Sequence, residues 1–257
     1  MHLHDAAVLF AAALVAGVAN AIAGGGSFIS FPTLLLTGVP PIPANATNTT
    51  AIWPGTVAST AAYRREIAVY SRLLLRAGAI SAVGGLIGAR VLLRTPPQTF
   101  MRLIPWLLFG ATILFLLSNR VSNWIRAMGQ HRPRVSSMTN AALYVWLFLV
   151  AIYIGYFGAG VGILLAPALS LLGVESMHAI NGVRTAMVSV ANAVAIVAFI
   201  LAGAILWQQA CLMMLGTVLG GYAGAHYAQK LRSQTVRWVV ITVGFVTSAY
   251  FFFKVYR

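Results

Sequence analysis

The chain has few charged residues and almost no acids. Of its 257 residues 8% are charged, and only three are Asp or Glu. A soluble domain carries roughly 25% charged residues, which cover its surface. Here 60% of the residues are hydrophobic, and no polar tract is long enough for a separate domain. The composition excludes a soluble protein and predicts an all-α polytopic membrane protein.

Reactive and metal-binding side chains are also scarce. Cys211 is the single cysteine, so an intrachain disulfide is excluded. The five histidines show no metal-ligand spacing, and no side chain stands in a nucleophile arrangement. We therefore expect no catalytic residue, no metal site and no cofactor. A membrane-embedded enzyme or a sensor would need reactive residues or a soluble output domain, and the sequence shows neither.

Basic residues, by contrast, are plentiful. Lys and Arg number 17 and give a net charge of +14. They fall mainly in short gaps between apolar runs, as the positive-inside rule predicts, and no basic patch is interleaved with aromatic residues. We therefore expect a lipid bilayer as partner and no nucleic acid.

Apolar runs predict ten membrane segments. The first run follows an N-terminus without a basic region, so we interpret it as a retained segment and not as a signal peptide. Most of the runs reach the roughly 20 residues of a full span. The predicted segments are 6–23, 27–38, 44–63, 72–93, 101–118, 138–157, 161–173, 178–202, 208–229 and 237–254.

Two of these segments, 27–38 and 161–173, are too short to cross a bilayer. Each follows a glycine-rich break, at 24–27 and at 158–162. The pattern predicts a helix that enters the membrane, a break, and a short helix that returns. Non-helical backbone at that depth survives only where protein or water surrounds it.

The distribution of arginine predicts the orientation. Four arginines lie in the gap 64–76, and four lie in the polar connection 119–137. With both inside, each short segment forms a hairpin with its neighbour, and the N- and C-termini lie outside. The uncharged gap 203–209 then falls outside, as expected, although Arg94 and Arg102 also fall outside.

The two halves of the sequence match each other. A shift of 135 aligns 24–39 with 159–174, with six identities in 16 positions, and a shift of 136 aligns 84–99 with 220–235, again with six. This predicts a first repeat at 1–118, a cytoplasmic linker at 119–137 and a second repeat at 138–257. Each repeat holds one re-entrant hairpin and three transmembrane helices, so the two have inverted topology, a design recurrent in secondary transporters.

The glycine breaks predict an anion site. The first turn of a helix has unpaired N–H groups and about half a positive charge, and glycine lets a ligand approach the backbone. The alternative is that glycines only permit close helix packing. We favour packing for the glycines at 84–88 and 220–224, and ligand binding at the breaks. The candidate residues at the breaks are Gly24, Gly25, Gly26, Ser27, Gly158, Gly160 and Gly162.

A polar cluster follows each short helix. Its amides and hydroxyls offer hydrogen-bond donors to an oxyanion, and the alternative is helix capping, for which Asn45 and Thr47 are the best candidates. Arg184 either supplies positive potential or snorkels to the headgroups. Thr49 occupies its place in the first half. The candidate ligands in these clusters are Thr47, Asn48, Thr49, Asn181, Arg184 and Thr185.

The shortage of intramembrane acids favours an anionic or neutral substrate, because cation carriers and proton pumps usually need carboxylates there. Glu175, in a predicted turn, stays open as a proton site. The breaks, the repeat and the missing acids together predict a secondary transporter of a small anion that works by alternating access. An anion channel on the same fold is the alternative, and homo-oligomerisation is left open.

These motifs resemble a known family. Gly24–Ser27 with Pro32, Gly38-Val39-Pro40 and Ala44-x-Ala46-Thr47-Asn48 is similar to the first-repeat signature of the sulfite exporter TauE/SafE family. The glycines at 158–162, Pro167 and Gly173 resemble its second signature. The resemblance implies a bacterial inner-membrane permease, usually an exporter, for sulfite, an organosulfonate or a related sulfur-containing anion. A non-sulfur anion is the alternative. The chain departs from the pattern at 182–185, where Arg184 stands.

Overall fold

The structure is a computed structural model that describes residues 3–22, 25–128, 137–227 and 233–257. The elements in these ranges are all helices, with no strand among them. In chain order they are α1 (Leu3–Ile22), α2 (Ser27–Leu36), α3 (Pro41–Ala62), α4 (Arg64–Ala68), α5 (Ser71–Arg94), α6 (Pro97–Met128), α7 (Ser137–Tyr156), α8 (Val161–Leu171), α9 (Met177–Leu201), α10 (Trp207–Tyr227) and α11 (Ser233–Tyr256).

A helix lies in each of the ten predicted segments, with two differences at the polar connections. The short helix α4 forms inside the basic gap 64–76, where the apolar runs predicted no segment before residue 72. Helix α6 continues to Met128, whereas the apolar run predicted an end at 118. Part of the predicted linker is therefore helical, and its residues 129–136 lie outside the described ranges.

Five helices are long and apolar enough to cross a membrane, judged by length and composition. They contain the spans Leu3–Ala21, Ser71–Arg94, Pro97–Asn123, Met177–Leu201 and Gln234–Tyr256. Helix α3 has the length but is more polar, because its first half carries the Asn and Thr cluster. Helices α2 and α8, with 10 and 11 residues, extend about 15–17 Å, roughly half of a hydrocarbon core of about 30 Å.

The chain forms two compact units. Unit 1 comprises Met1–Gly55, Leu92–Ile113 and Phe199–Arg257, and unit 2 comprises Thr56–Val91 and Leu114–Ala198. Unit 1 thus joins α1 and α2 to α10 and α11, and unit 2 joins α5 to α7, α8 and α9. Each unit draws on both halves of the sequence, so the segments of the two units alternate along the chain and do not coincide with the predicted repeats. The repeat boundaries stay a prediction.

In unit 1, α10 packs on α1 through glycines. A Cβ on Gly220 would collide with the carbonyl of Leu14, and one on Gly224 would lie 2.9 Å from Val18 Cα. Gly17 of α1 faces Thr217 and Gly221 in the same way. Small residues let two backbones approach where no hydrophobic effect drives association. The packing role predicted for this glycine pair is confirmed.

In unit 2, α5 packs on α7 through the matching glycines. A Cβ on Gly84 would lie 2.6 Å from Ala151 Cβ, and one on Gly88 would collide with the carbonyl of Ile152. Gly85, between them, lies against Ala191 of α9. The packing role is confirmed here too. The unit's apolar core includes Leu147, Leu165 and Leu169, which are fully buried.

Large apolar side chains remain exposed on the helices of both units. Val246 of α11 is 62% exposed, and Leu149 of α7 is 53% exposed. Tyr222 of α10 is exposed as well. Exposed apolar surface on this scale marks an interaction with another apolar phase. Lipid chains are the natural cover for it in a chain with several apolar spans.

Candidate functional site

The two short helices have matching ends. Gly25, before α2, and Gly160, before α8, both have positive φ, at 149° and 73°. After the helices, Gly38 and Gly173 adopt φ values of 84° and 97°. Their N–H groups and those of the next residues bond back to equivalent carbonyls, which is the Schellman arrangement that glycine favours. The backbone explains why both helices begin and end where they do.

In unit 1, the break before α2 is held by α1. The N–H of Gly25 donates to Asn20 Oδ1 at 3.3 Å, and a Cβ on Gly26 would lie 2.5 Å from the carbonyl oxygen of Ala16. The N–H groups of Phe28 and Ile29 bond to the carbonyls of Gly25 and Gly26, both at 3.0 Å. The first turn therefore offers fewer free donors than the four expected. Gly24 lies outside the described residues.

Ser27 is the first residue of α2, and it keeps its donors. Its side chain is half-buried, and neither its hydroxyl nor its backbone N–H bonds to another described residue. The N–H of Gly26 likewise donates to no residue that the structure describes. Ser27 and Gly26 are the donors that the start of α2 can offer to a ligand.

The polar cluster of α3 lies inside the helix and not at its end. Because α3 begins at Pro41, Asn45 and Thr47 fall in its second turn, and the capping interpretation was wrong. Both are buried, as are Asn48 and Thr49. The hydroxyl of Thr47 accepts a hydrogen bond at 3.0 Å from the N–H of Leu206, so it helps to hold the loop before α10.

Asn48 and Thr49 are nearer to the ligand role predicted for them. Asn48 is 3% exposed, and its one hydrogen bond is at Oδ1, to Ser30 of α2. Its amide nitrogen donates to no described residue. The Thr49 hydroxyl has no hydrogen-bond partner among the described residues either, although the residue is buried. Both are in unit 1, with the start of α2.

In unit 2, the break before α8 is held by α7. Tyr153 donates its hydroxyl to the carbonyl of Ala159 at 2.8 Å, and the N–H of Gly158 bonds back to the Tyr153 carbonyl at 3.0 Å. Gly158 has φ of 75°, so the chain turns sharply before Gly160. Neither Val161 nor Gly162 donates its N–H to a residue in the described ranges. The start of α8 therefore keeps free donors.

Arg184 of α9 lies over this start. Its Nη1 is 2.6 Å from the point that a Cβ on Gly162 would occupy, and its Cζ is 3.1 Å from that point. The side chain is partly buried, and it forms no ion pair or hydrogen bond with the described part of the chain. Gly162 thus makes room for the guanidinium. The guanidinium therefore lies against α8, and its role as a ligand stays a prediction.

The other two candidates on α9 have local roles or none. Thr185 donates its hydroxyl to the Gly182 carbonyl of its own helix at 2.9 Å. Asn181 is half-buried, and its amide bonds to no residue that the structure describes. The true N-cap of α9 is Ser176, whose Oγ accepts from the N–H of Ala179 at 3.0 Å.

The electrostatics of the α8 start are unusual for a membrane segment. The helix N-terminus carries about half a positive charge, and a cation there is repelled by about 0.3–1 kcal/mol. Arg184 adds a full charge at the same place. No acidic side chain in the described ranges pairs with it. An anion that bound beside Gly162 would remove both costs at once.

Each unit therefore assembles part of the predicted set. Unit 1 contains Gly26 and Ser27 of the α2 start together with Asn48 and Thr49 of α3. In unit 2, Arg184 lies against Gly162. Sequence reasoning missed the residues that hold the breaks, Asn20 and Tyr153, and it also missed Ser30. Asn20 carried a usable signal, because an amide inside an apolar run needs a partner.

The fold and the two short-helix starts indicate the class of protein. Apolar spans and two short helices that begin at glycine breaks, with N-terminal N–H groups that donate to no described residue, are features of multi-pass membrane transport proteins. A protein-family model, Sulfite exporter TauE/SafE, matches residues 9–251. The chain belongs to the sulfite exporter TauE/SafE family.

Relatives of known sequence agree with that class. A "Probable membrane transporter protein" of Haemophilus influenzae is 29% identical over 244 residues, covering 95% of this chain and 92% of the relative. The "Probable membrane transporter protein ORF9" of a Sinorhizobium species is also 29% identical, with coverage of 93% and 89%. YfcA of Escherichia coli, another "Probable membrane transporter protein", is 25% identical over 243 residues, covering 94% and 87%. No solved structure matches the chain.

Proposed function

We propose that this protein is a secondary transporter that moves a small sulfur-containing oxyanion, such as sulfite or an organosulfonate, across the bacterial inner membrane. Transport proceeds by alternating access, with the two sequence repeats in inverted topology and both termini outside. The family name and the relatives' names support transport and suggest the sulfur oxyanion. The chemistry of this chain's own residues supports the anionic charge.

One observation carries the proposal, and it is the position of Arg184 against Gly162. A guanidinium inside a membrane segment costs at least about 2.5 kcal/mol on insertion scales, so it is retained for a purpose. Here it lies at the positive end of α8 without an acidic partner among the described residues. An oxyanion there would accept hydrogen bonds from the guanidinium and from the N–H groups of Val161 and Gly162.

The membrane potential supplies the driving force for export. An interior-negative voltage expels each negative charge with about 2.3 kcal/mol per 100 mV. No intramembrane acid is required for this mechanism, in agreement with the three acids of the chain. Proton coupling through Glu175, which is exposed in the turn before α9, is not needed.

Ligand-induced thermal stabilisation of the purified protein tests the substrate class. Sulfite, sulfate, thiosulfate, sulfoacetate, taurine and acetate are compared, with chloride as the control anion. We expect one sulfur oxyanion to raise Tm, and Arg184→Gln to weaken its apparent affinity at least about ten-fold. Arg90→Gln is the matched control, because Arg90 is an exposed arginine of α5 in the same unit. No stabilisation by any anion would contradict the proposal.

Flux in proteoliposomes then separates a carrier from the alternative, an anion channel. We expect saturable uptake, accelerated by substrate on the opposite side, and dependent on imposed voltage. Flux that neither saturates nor exchanges would assign a channel. Flux by a carrier without voltage dependence would contradict potential-driven export.

A further inference from the structure

Unit 1 contains a buried polar pair that the proposed transport function does not yet use. Ser30 of α2 is fully buried, and Asn48 of α3 is 3% exposed. Ser30 Oγ lies 2.5 Å from Asn48 Oδ1 and 3.1 Å from the carbonyl oxygen of Gly26. Two polar side chains in an apolar core are costly unless they are bonded, and here they bond to each other.

The distance indicates which group donates. O–H···O bonds are typically 2.5–3.0 Å long and N–H···O bonds 2.7–3.2 Å. At 2.5 Å the contact fits a Ser30 hydroxyl that donates to the Asn48 carbonyl oxygen. The 3.1 Å separation from the Gly26 carbonyl is long for a hydroxyl donor. With its oxygen on Ser30, the Asn48 side chain presents its NH₂ group elsewhere.

The NH₂ group belongs to a buried side chain, but its nitrogen is not fully enclosed. It donates to no described residue. Ser81 Oγ is the only unpaired side-chain polar atom in the described ranges that is fully enclosed, so the Asn48 nitrogen reaches accessible space. A donor left unpaired in a buried position costs about 1–3 kcal/mol. The hydroxyl of Thr49, the next residue of α3, also has no hydrogen-bond partner among the described residues, so this part of α3 has two donors available for an acceptor.

We propose that Ser30 is a positioning residue that fixes the Asn48 amide with its N–H donors toward an oxyanion at the start of α2. Without the Ser30 hydroxyl the amide can rotate, and its oxygen would then face the anion and repel it. Positions 165 and 183, which match Ser30 and Asn48 in the second repeat, are Leu165 and Val183 and belong to the apolar core. The pair occurs once, and it gives unit 1 a neutral recognition element for anions with several oxygens.

This inference rests on the proposed function, and a double-mutant cycle tests it. The Kd for the stabilising oxyanion is measured for the wild type, Ser30→Ala, Asn48→Ala and the double variant. We expect Ser30→Ala and Asn48→Ala each to weaken binding about ten-fold. Because Ser30 acts through Asn48, the double variant should bind no more weakly than Asn48→Ala alone. Ser30→Thr, which keeps the hydroxyl, should restore binding.

Controls separate positioning from packing. Thr33→Val removes a hydroxyl from the same helix, where it bonds only the carbonyl of Ile29, and should leave Kd unchanged. Additive effects in the cycle, or a failure of Ser30→Thr to restore binding, would overturn the positioning role. Wild-type protein that binds no oxyanion would overturn the proposed function with it, whereas wild-type binding with an unchanged Ser30→Ala would overturn this inference alone.

Discussion

The starts of α2 and α8 share a backbone and differ in chemistry. Both follow a glycine with positive φ, both contain a proline, and both end in a glycine turn. At matching positions, however, α2 begins with Ser27 where α8 has Gly162, and α3 carries Thr49 where α9 carries Arg184. The half with a serine at the start of its short helix has a threonine in the following long helix. The half with a glycine at that start has an arginine at the matching position.

The two starts therefore share a course of the backbone and differ in charge. Gly162 leaves room that the guanidinium fills. Ser27 instead adds a hydroxyl donor at the start of α2. The start of α8 therefore offers charge, and the start of α2 offers neutral donors.

The largest effect should come from the glycines that hold each unit together. Gly220→Ala places a Cβ in collision with the Leu14 backbone, which cannot move aside as a side chain can. We expect little folded protein, measured as monodisperse yield after purification. Gly221→Ala is the matched control, because a Cβ at Gly221 meets no described atom within 4 Å. Equal yields for the two variants would contradict the packing role.

Moving the charge from one unit to the other tests the comparison directly. Arg184→Thr should abolish measurable oxyanion stabilisation, because it removes the arginine that lies against the start of α8. The fourfold variant Ser27→Gly, Thr49→Arg, Gly162→Ser and Arg184→Thr exchanges the two sets of residues. If the starts are equivalent in shape, binding should return to within about ten-fold of wild type. A folded fourfold variant without binding would show that the two starts are not interchangeable.

Filling the space at Gly162 should give an intermediate effect. In Gly162→Ala the new Cβ would lie 2.6 Å from Nη1 of Arg184, so the flexible side chain must shift while the fold is kept. We expect Kd to rise about three- to ten-fold with little change in Tm. Gly78→Ala is the control, because a Cβ at Gly78 meets no described atom within 4 Å. Gly173→Ala is unsuitable, because Gly173 has a positive φ. A large fall in Tm would indicate that Gly162 matters for packing alone.

The sequence predicts much of the difference between the two short-helix starts, but not the contacts between helices. The ten segments, the short helices and the packing glycines follow from apolar runs and from the repeat, because length and small residues determine them locally. The contact of Arg184 with Gly162 depends on how α9 packs beside α8. The matching of Thr49 with Arg184 is visible in the aligned repeats, but the space at Gly162 is a tertiary property. The same holds for the bond between Ser30 and Asn48, 18 residues apart.

The smallest effect concerns another matched pair, Thr217 of α10 and Ser81 of α5, related by the shift of 136. Thr217 donates its hydroxyl to the Ala51 carbonyl at 2.7 Å, whereas Ser81 Oγ is enclosed and has no hydrogen-bond partner among the described residues. Thr217→Val should lower the free energy of unfolding by about 0.6 kcal/mol, the average for such bonds in membranes. Ser81→Ala should leave it unchanged or raise it, because it removes an unpaired buried group. Denaturant unfolding in detergent measures the free energy of unfolding of both variants. Equal decreases in the two variants would mean that Ser81 forms a hydrogen bond, as Thr217 does in the other unit.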